Sequence, residues 1–498
     1  MSLISVLLLS LQRNKIHKIR YGNHWQKEIT ELERLYNVED SQFVAVYGRR
    51  RIGKTYLIKE TFKDRFAFWH TGLSPYDREK KFLLRDQLQA FYYSLQDYGL
   101  QGETSPKSWL EAFRLLEKLL EQKDNGRRLV VFIDELPWMD TARSRFIPAF
   151  EHFWNGWASK RNNILLIVCG SATSWMEDNL INNKGGLYNR LNCEIKLHPF
   201  SLAECEMYFH SKGIVMSRYD VTQAYMVLGG IPHYLSLFDK GYSVAQNIDK
   251  LLFEKGAKLG NEFDRLFGSL FKNAEDHKKV IRLLAQRRGG YTRHEILEHT
   301  GIKDGGGATE ILKGLSESDF IATYYPYDER KVERYRLTDP FCISYLNFLD
   351  GKEMSEPQFW QKNSSSPRLN TWRGFAFEEL CFLHIAQIKK KLGISGVSTM
   401  VSSWIVESLE KKQQIDMLID RADNVLNLCE IKFYGKPFVI DKKYDTVLRE
   451  RMQTLMDRIP RKKSVHLTMI ASYGLRRNEY SGQVQNEVAL DDLFAVEL

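Results

Sequence analysis

The residues most suited to chemistry lie between Gly48 and Thr55: Gly48-Arg49-Arg50-Arg51-Ile52-Gly53-Lys54-Thr55, preceded by apolar Phe43 to Tyr47 and followed from Tyr56 by a helical pattern. Two glycines let the backbone bend tightly and aim consecutive N–H groups at phosphates; Lys54 reaches the outer phosphates and the Thr55 hydroxyl ligates Mg²⁺. About eighty residues later, the apolar run Leu129 to Ile133 ends in Asp134-Glu135. That places Asp134 at the carboxyl end of a buried strand, where it holds Mg²⁺ through water, with Glu135 as base for an attacking water. A further strand ending in Ser171 offers a hydroxyl for the γ-phosphate or that water. Arg190, after Gly185-Gly186, stands where an arginine finger would act. The expected substrate is ATP or GTP, held by Gly48 to Tyr56 and Asp134.

These groups need a parallel α/β scaffold. Strands are expected over Arg65–Thr71, Arg128–Asp134, Asn163–Ser171 and Cys193–Leu197, with helices around 78–96 and 107–122. A helical lid is expected to begin near Pro199. His277–Gln286, Thr292–His299 and Ala308–Glu317 then form three short helices, with Thr292 as a cap, and Thr323–Leu337 alternates like a hairpin. That order predicts a winged helix-turn-helix. Its third helix offers only Lys313 among acids, while the wing carries Arg330, Lys331, Arg334, Arg336 and tyrosines, so the unit is expected to pack against the ATPase as a structural or switching module, with DNA contact through the wing as the alternative. The Ser/Pro-containing stretch 351–370 reads as a linker, followed by a helix from Trp372 and strands at Gln413–Ile419 and Val425–Phe433.

The chain has 498 residues, too many for one hydrophobic core, with ordinary hydrophobic (43%) and charged (27%) fractions. Without an apolar run long enough to span a bilayer, and with six scattered cysteines, it is expected to be a cytoplasmic protein lacking a structural zinc or disulfide scaffold. The apolar opening, Met1 to Leu11, has no basic residue before it and reads as an unstructured extension or a mis-set start rather than a signal peptide. A formal net charge of +9 suits an anionic partner.

Together with Gly229-Gly230-Ile231-Pro232-His233-Tyr234-Leu235, the motifs above resemble the prokaryotic ATPases first catalogued as archaeal, on the AAA+ and STAND side of the P-loop proteins. The resemblance implies a core whose phosphate-loop strand is central, with Gly230 to Pro232 bringing the lid toward the nucleotide. The family's Phe-x-Gly-Arg-Glu-like opening is here Tyr21-Gly22-Asn23-His24, without the Arg that serves the adenine side. Further on, a helix Glu378, then Asp416, then Glu430-Ile431-Lys432 resembles the PD-(D/E)XK nuclease superfamily. This implies Mg²⁺ or Mn²⁺ held by Asp416 and Glu430, with Glu378 completing the shell and Lys432 stabilising developing charge. Residues 436–477 add eleven Lys or Arg against four acids, a net +7 that suits a phosphate backbone.

The expected organisation is an extension (1–20), an AAA+-like P-loop core with a parallel sheet (21–198), a helical lid (199–272), a winged helix (273–350), a linker (351–370) and an α/β restriction-endonuclease-like domain (371–498). The expected function is a Mg²⁺-dependent ATPase coupling nucleotide state to nucleic-acid binding or cleavage, DNA favoured, with homo-oligomerisation open. The alternatives are a STAND-like switch, or a DNA-binding regulator that does not cut.

Overall fold

The computed structural model describes residues 25–74, 83–271, 273–327, 329, 331–351, 356–407, 412–459 and 462–496, excluding the side chains of 405–407 and 412–413. The expected N-terminal extension, Tyr21 to His24, Arg330 and the start of the helix expected near 78 lie outside these residues.

The first unit contains α1 (Gln26–Tyr36), β1 (Gln42–Tyr47), α2 (Lys54–Phe62), β2 (Phe66–Thr71), α3 (Leu84–Asp97), α4 (Trp109–Lys123), β3 (Leu129–Asp134), α5 (Phe146–Gly156), β4 (Ile164–Gly170) and β5 (Cys193–Lys196). Their five strands are ordered β2-β3-β4-β1-β5, with every neighbouring pair parallel. β1, β3 and β4 are buried along their whole length, as expected of strands covered on both faces. Helices α3 to α5 cover one face through Phe91, Trp109, Phe113 and Phe150. β4 occupies the middle of the sheet, so the phosphate-loop strand is interior but off-centre. The carboxyl ends of β1, β3 and β4 meet on one edge, where open α/β sheets bind ligands.

The lid begins at α6 (Leu202–Ser211), capped by Ser201, whose hydroxyl accepts from the Glu204 N–H, and continues through α7 (Arg218–Leu228) and α8 (Glu262–Leu270). Gly230 approaches Phe200 so closely that a Cβ would meet its carbonyl oxygen at 1.9 Å, and the Phe200 N–H donates to Gly230 O. Next come α9 (Ala274–Leu284), α10 (Arg293–Thr300), α11 (Gly306–Glu317), β6 (Ile321–Tyr324), β7 (Arg334–Leu337) and α12 (Pro340–Phe348). Thr292 caps α10 with a reciprocal bond from Glu295, and β6 pairs antiparallel with β7.

Within the segment read as a linker, residues 359–370 are packed. Trp360 is buried, and Asp249 of the lid accepts from the N–H groups of Trp360 and Gln361 and from Gln361 Nε2. The following helix, α13 (Pro367–Leu383), starts five residues before the expected Trp372, because Pro367 sits at its first turn and Ser366 caps it. The C-terminal sheet comprises β8 (Thr399–Glu407), β9 (Lys412–Arg421), β10 (Val425–Lys432), β11 (Ser464–Ala471) and β12 (Asn486–Ala489), with α14 (Lys442–Met456) crossing between β10 and β11. Its order is β12-β11-β10-β9-β8, antiparallel from β8 to β10 and parallel from β10 to β12. Buried His384 joins this unit to the lid: Nε2 accepts from the Leu202 N–H and Nδ1 faces Leu380 O. Burial pushes the imidazole down to about 4, consistent with its neutral form.

Candidate functional site

The turn after β1 requires left-handed backbone at Gly48 (φ 136°) and Gly53 (φ 91°), and a Cβ at Gly53 would lie 2.2 Å from the Trp25 ring. Gly53 begins α2, so N–H groups at that end face the cavity. Lys54 is buried. Its ammonium donates to Gly48 O (2.9 Å), Arg49 O (3.0 Å) and Ser171 Oγ (3.1 Å). Burial pulls its pKa down, and the charge of Glu135 opposes that shift. Thr55 Oγ1 donates to Asp134 Oδ2 at 2.8 Å. Burial, then the neighbouring charge of Glu135, pushes Asp134 up to about 6. This oxygen set fits a hard divalent cation, since an added positive charge would relieve the raised carboxyl. Mg²⁺ bound there would screen phosphate charge; the chain's own part is to present Thr55 and Asp134 side by side.

Glu135 leaves β3 in left-handed backbone (φ 50°). Its carboxylate accepts from Ser171 Oγ and from the Ser171 N–H. The structure therefore brings Lys54, Thr55, Asp134, Glu135 and Ser171 together at the ends of three strands. Lys54, Thr55, Glu135 and Ser171 border a cavity of about 500 Å³ shared with Trp25, Arg50, Tyr56, Tyr208 and His233, and Asp134 stands behind Thr55. Trp25 is the residue that sequence reasoning missed. It packs 5.1 Å from Phe200 and 6.1 Å from Tyr56, ring to ring, giving the cavity an aromatic wall beside the segment lacking the family's Arg. A lone Trp ahead of an amphipathic helix carries no spacing signal.

Several expected residues lie elsewhere. The Arg49 side chain turns away from the cradle and is fully buried. Its Nη1 is 2.5 Å from Asp339 Oδ2, and its guanidinium lies 4.4 Å from the Phe320 ring centroid. Arg51 does line the cavity, while pairing with buried Glu262 of the lid at 2.5 Å. Ile52 is buried in the core, so it shapes the loop through packing. Arg190 lies on an exposed turn and does not line the cavity.

The three-helix unit packs against the ATPase unit. Lys313 of α11 is tied to Asp178 of the ATPase unit at 2.5 Å. Of the hairpin arginines, Arg334 pairs with Glu329, and buried Arg336 lies 3.7 Å from Glu379 and 3.9 Å from the Phe382 ring centroid. Thus neither α11 nor these two arginines forms a free basic surface in this arrangement.

In the C-terminal unit the four expected residues converge from α13, β9 and β10. Asp416 Oδ2 accepts from the Ile431 N–H and lies 3.6 Å from Lys432 Nζ. Glu430, fully buried, accepts from Arg451 (2.5 Å) and Tyr444 (2.7 Å), with Lys432 Nζ at 3.5 Å. Glu378 pairs with Arg288 at 2.8 Å. Burial, then the charge of Asp416, raises the Glu378 pKa; burial, then Glu430, raises that of Asp416. Lys432 moves up despite its burial, because Asp416, Tyr444 and Glu430 surround it. Among the described residues no three His, Cys, Asp or Glu side chains form a metal-holding group. The carboxylates are chemically right for Mg²⁺ or Mn²⁺, but protein cations engage them, so as arranged they do not fit a metal.

With this geometry in place, the comparisons define the class. Residues 25–238 match the family described as an ATPase domain predominantly from Archaea. The N-terminal part of the chain is an archaeal-type ATPase domain, which implies nucleotide binding and hydrolysis. A curated relative, uncharacterized protein MJECL04 of Methanocaldococcus jannaschii, is 24% identical over 79% of this chain and 83% of its own length. Among solved structures, the Walker-type ATPase PABY2304 of Pyrococcus abyssi is 18% identical, covering 65% of this chain and 95% of that one with a TM-score of 0.43. The Aeropyrum pernix ORC2 protein, in ADPNP-ADP complexes, is 14% identical over 70% and 98%, with a TM-score of 0.39. At those scores the reading of both sites rests on their own residues. No helix among the described residues is long and apolar enough to cross a membrane.

Proposed function

We propose that this chain is a Mg²⁺-dependent ATPase whose nucleotide state controls a C-terminal, PD-(D/E)XK-like unit acting on nucleic acid, with DNA favoured. The observation that carries the reading is the buried Arg49–Asp339 pair, at 2.5 Å. It joins the loop that would wrap phosphates to the start of α12, immediately after β7, where Asp339 Oδ1 also accepts from the Cys342 N–H. In this reading the α9–β7 unit is a winged helix that serves as the mechanical link. Phosphates entering the loop would shift Arg49, and a buried ion pair leaves little room for continuous adjustment. The basic run 436–477 would track the phosphate backbone, and Glu378, Asp416, Glu430 and Lys432 would form the cutting site. Hydrogen exchange of residues 286–337 with and without ATP tests the coupling. A change is expected in wild type and none in Lys54→Ala; identical exchange with ATP bound refutes it. Plasmid nicking in Mg²⁺ and Mn²⁺ tests the cutting role. Asp416→Ala and Glu430→Ala are expected to lose all cleavage while ATP hydrolysis stays near wild type.

A second reading is a switch or scaffold whose C-terminal unit binds without cutting. The pairing of every carboxylate in the acidic site favours it. Absence of nicking on every DNA and RNA substrate, with ATP-dependent assembly retained, would make it the better reading.

A further inference from the structure

The acidic site lies against the three-helix unit. Arg288, in the loop between α9 and α10, pairs with Glu378 at 2.8 Å and stacks 3.4 Å from the Phe375 ring centroid. From β7 of the same unit, Arg336 lies 3.7 Å from Glu379. Both arginines line a cavity of about 180 Å³ that also reaches Asp416. The charges follow this division. Counted formally, Glu378, Glu379, Asp416 and Glu430 are matched by Arg288, Arg336, Lys432 and Arg451, one cationic side chain for each carboxyl. Only Lys432 and Arg451 belong to the C-terminal unit itself. Without the three-helix unit, four carboxyl groups would face two cations, a formal excess of two negative charges that a divalent cation would match and would help to ionise.

We propose that the Arg288 loop is an inhibitory plug: docked, it supplies the positive charge that a divalent metal would bring, so metal binding at the acidic site requires the three-helix unit to withdraw. This rests on reading that site as nuclease-like. A metal added beside docked Arg288 and Arg336 would be uncompensated and would meet a guanidinium already holding Glu378. Arginine suits such a plug because its planar head pairs with a carboxylate and stacks on an aromatic ring at once. Metal binding and docking therefore oppose each other, and by reciprocity each weakens the other equally.

The test is Mn²⁺ binding by the full chain without nucleotide, followed through the electron paramagnetic resonance of free Mn²⁺. Arg288 is partly exposed, so Arg288→Ala should fold. It is expected to bind Mn²⁺ at least about tenfold more tightly than wild type, with that gain absent from Arg288→Ala/Asp416→Ala. Arg288→Lys, which keeps the charge but loses the planar stack, should fall between them. In wild type, saturating Mn²⁺ should raise hydrogen exchange in residues 286–290. If wild type and Arg288→Ala bind equally and Asp416→Ala abolishes binding in both, the plug is wrong and the metal site stands. If neither binds more Mn²⁺ than its Asp416→Ala counterpart, plug and metal site both fail. Weaker binding by Arg288→Ala would make Arg288 part of the site and overturn the plug.

Discussion

The ATPase site and the C-terminal acidic site use similar parts, with carboxylates at strand ends and a buried or partly buried lysine, yet their charges are met differently. At the N-terminal site Asp134 has a neutral hydroxyl partner in Thr55, and Lys54 is held by carbonyls and a serine. Asp134 is raised to about 6, and Glu378 and Asp416 of the other site are raised as well, so the contrast lies in the partners. The N-terminal site gains by taking an anion and a divalent cation from outside. In the C-terminal site every acid already has a protein cation. Matching residue types therefore do not make equally receptive sites; what matters is whether the fold or the ligand supplies the counter-charge.

The largest expected effect is that of Lys54→Ala. Removing the one buried ammonium at the phosphate loop should abolish nucleotide binding by calorimetry, while leaving the Arg288-dependent Mn²⁺ behaviour intact. Unchanged ATP affinity would break the comparison at its stronger end. Glu135→Gln should keep ATP but lower hydrolysis by about 10²- to 10⁴-fold, since the amide cannot take a proton from water. Turnover at the wild-type rate would move the base elsewhere.

Asp339→Asn should retain a cap for α12 while leaving Arg49 buried without its counter-charge. A loss of about 3–5 kcal/mol in denaturant unfolding is expected. A loss below about 1 kcal/mol would mean that Arg49 finds another acid or water, and the proposed link would fail.

The smallest effect expected is a pH dependence. Asp134, raised to about 6, takes up a proton below that pH, and Mg²⁺ requires the ionised form. Mg²⁺-nucleotide affinity should therefore be flat above about pH 7 and fall toward tenfold per unit below about pH 6. In Glu135→Gln the inflection should move to lower pH, because the neighbouring charge that raises Asp134 is gone. An unmoved inflection would assign the shift to burial alone.

Much of the ATPase site was legible because it is local. Gly48, Gly53, Lys54 and Thr55 lie within one turn, and an apolar strand ending in Asp134-Glu135 needs only its own sequence to be recognised. The helix caps at Ser201 and Thr292 were equally local, and Thr292 was anticipated. The 351–370 stretch misled because Ser and Pro mark linkers by composition, whereas here they cap and start a helix. The burial of Trp360 and the acceptor role of Asp249, 111 residues earlier, left no composition signal.

Which backbone turns can cradle phosphate, which strands are buried and which acids lie near their ends depends on neighbours a few residues apart, so these features are written locally in the chain. Long-range packing, by contrast, turns Arg49 toward Asp339, 290 residues away, instead of a phosphate. It also places Trp25 as the wall of the cavity and sets Arg288 on Glu378. A long cationic side chain has many acids within reach of its chain, and the partner it takes depends on which unit packs against it and how much water that contact removes.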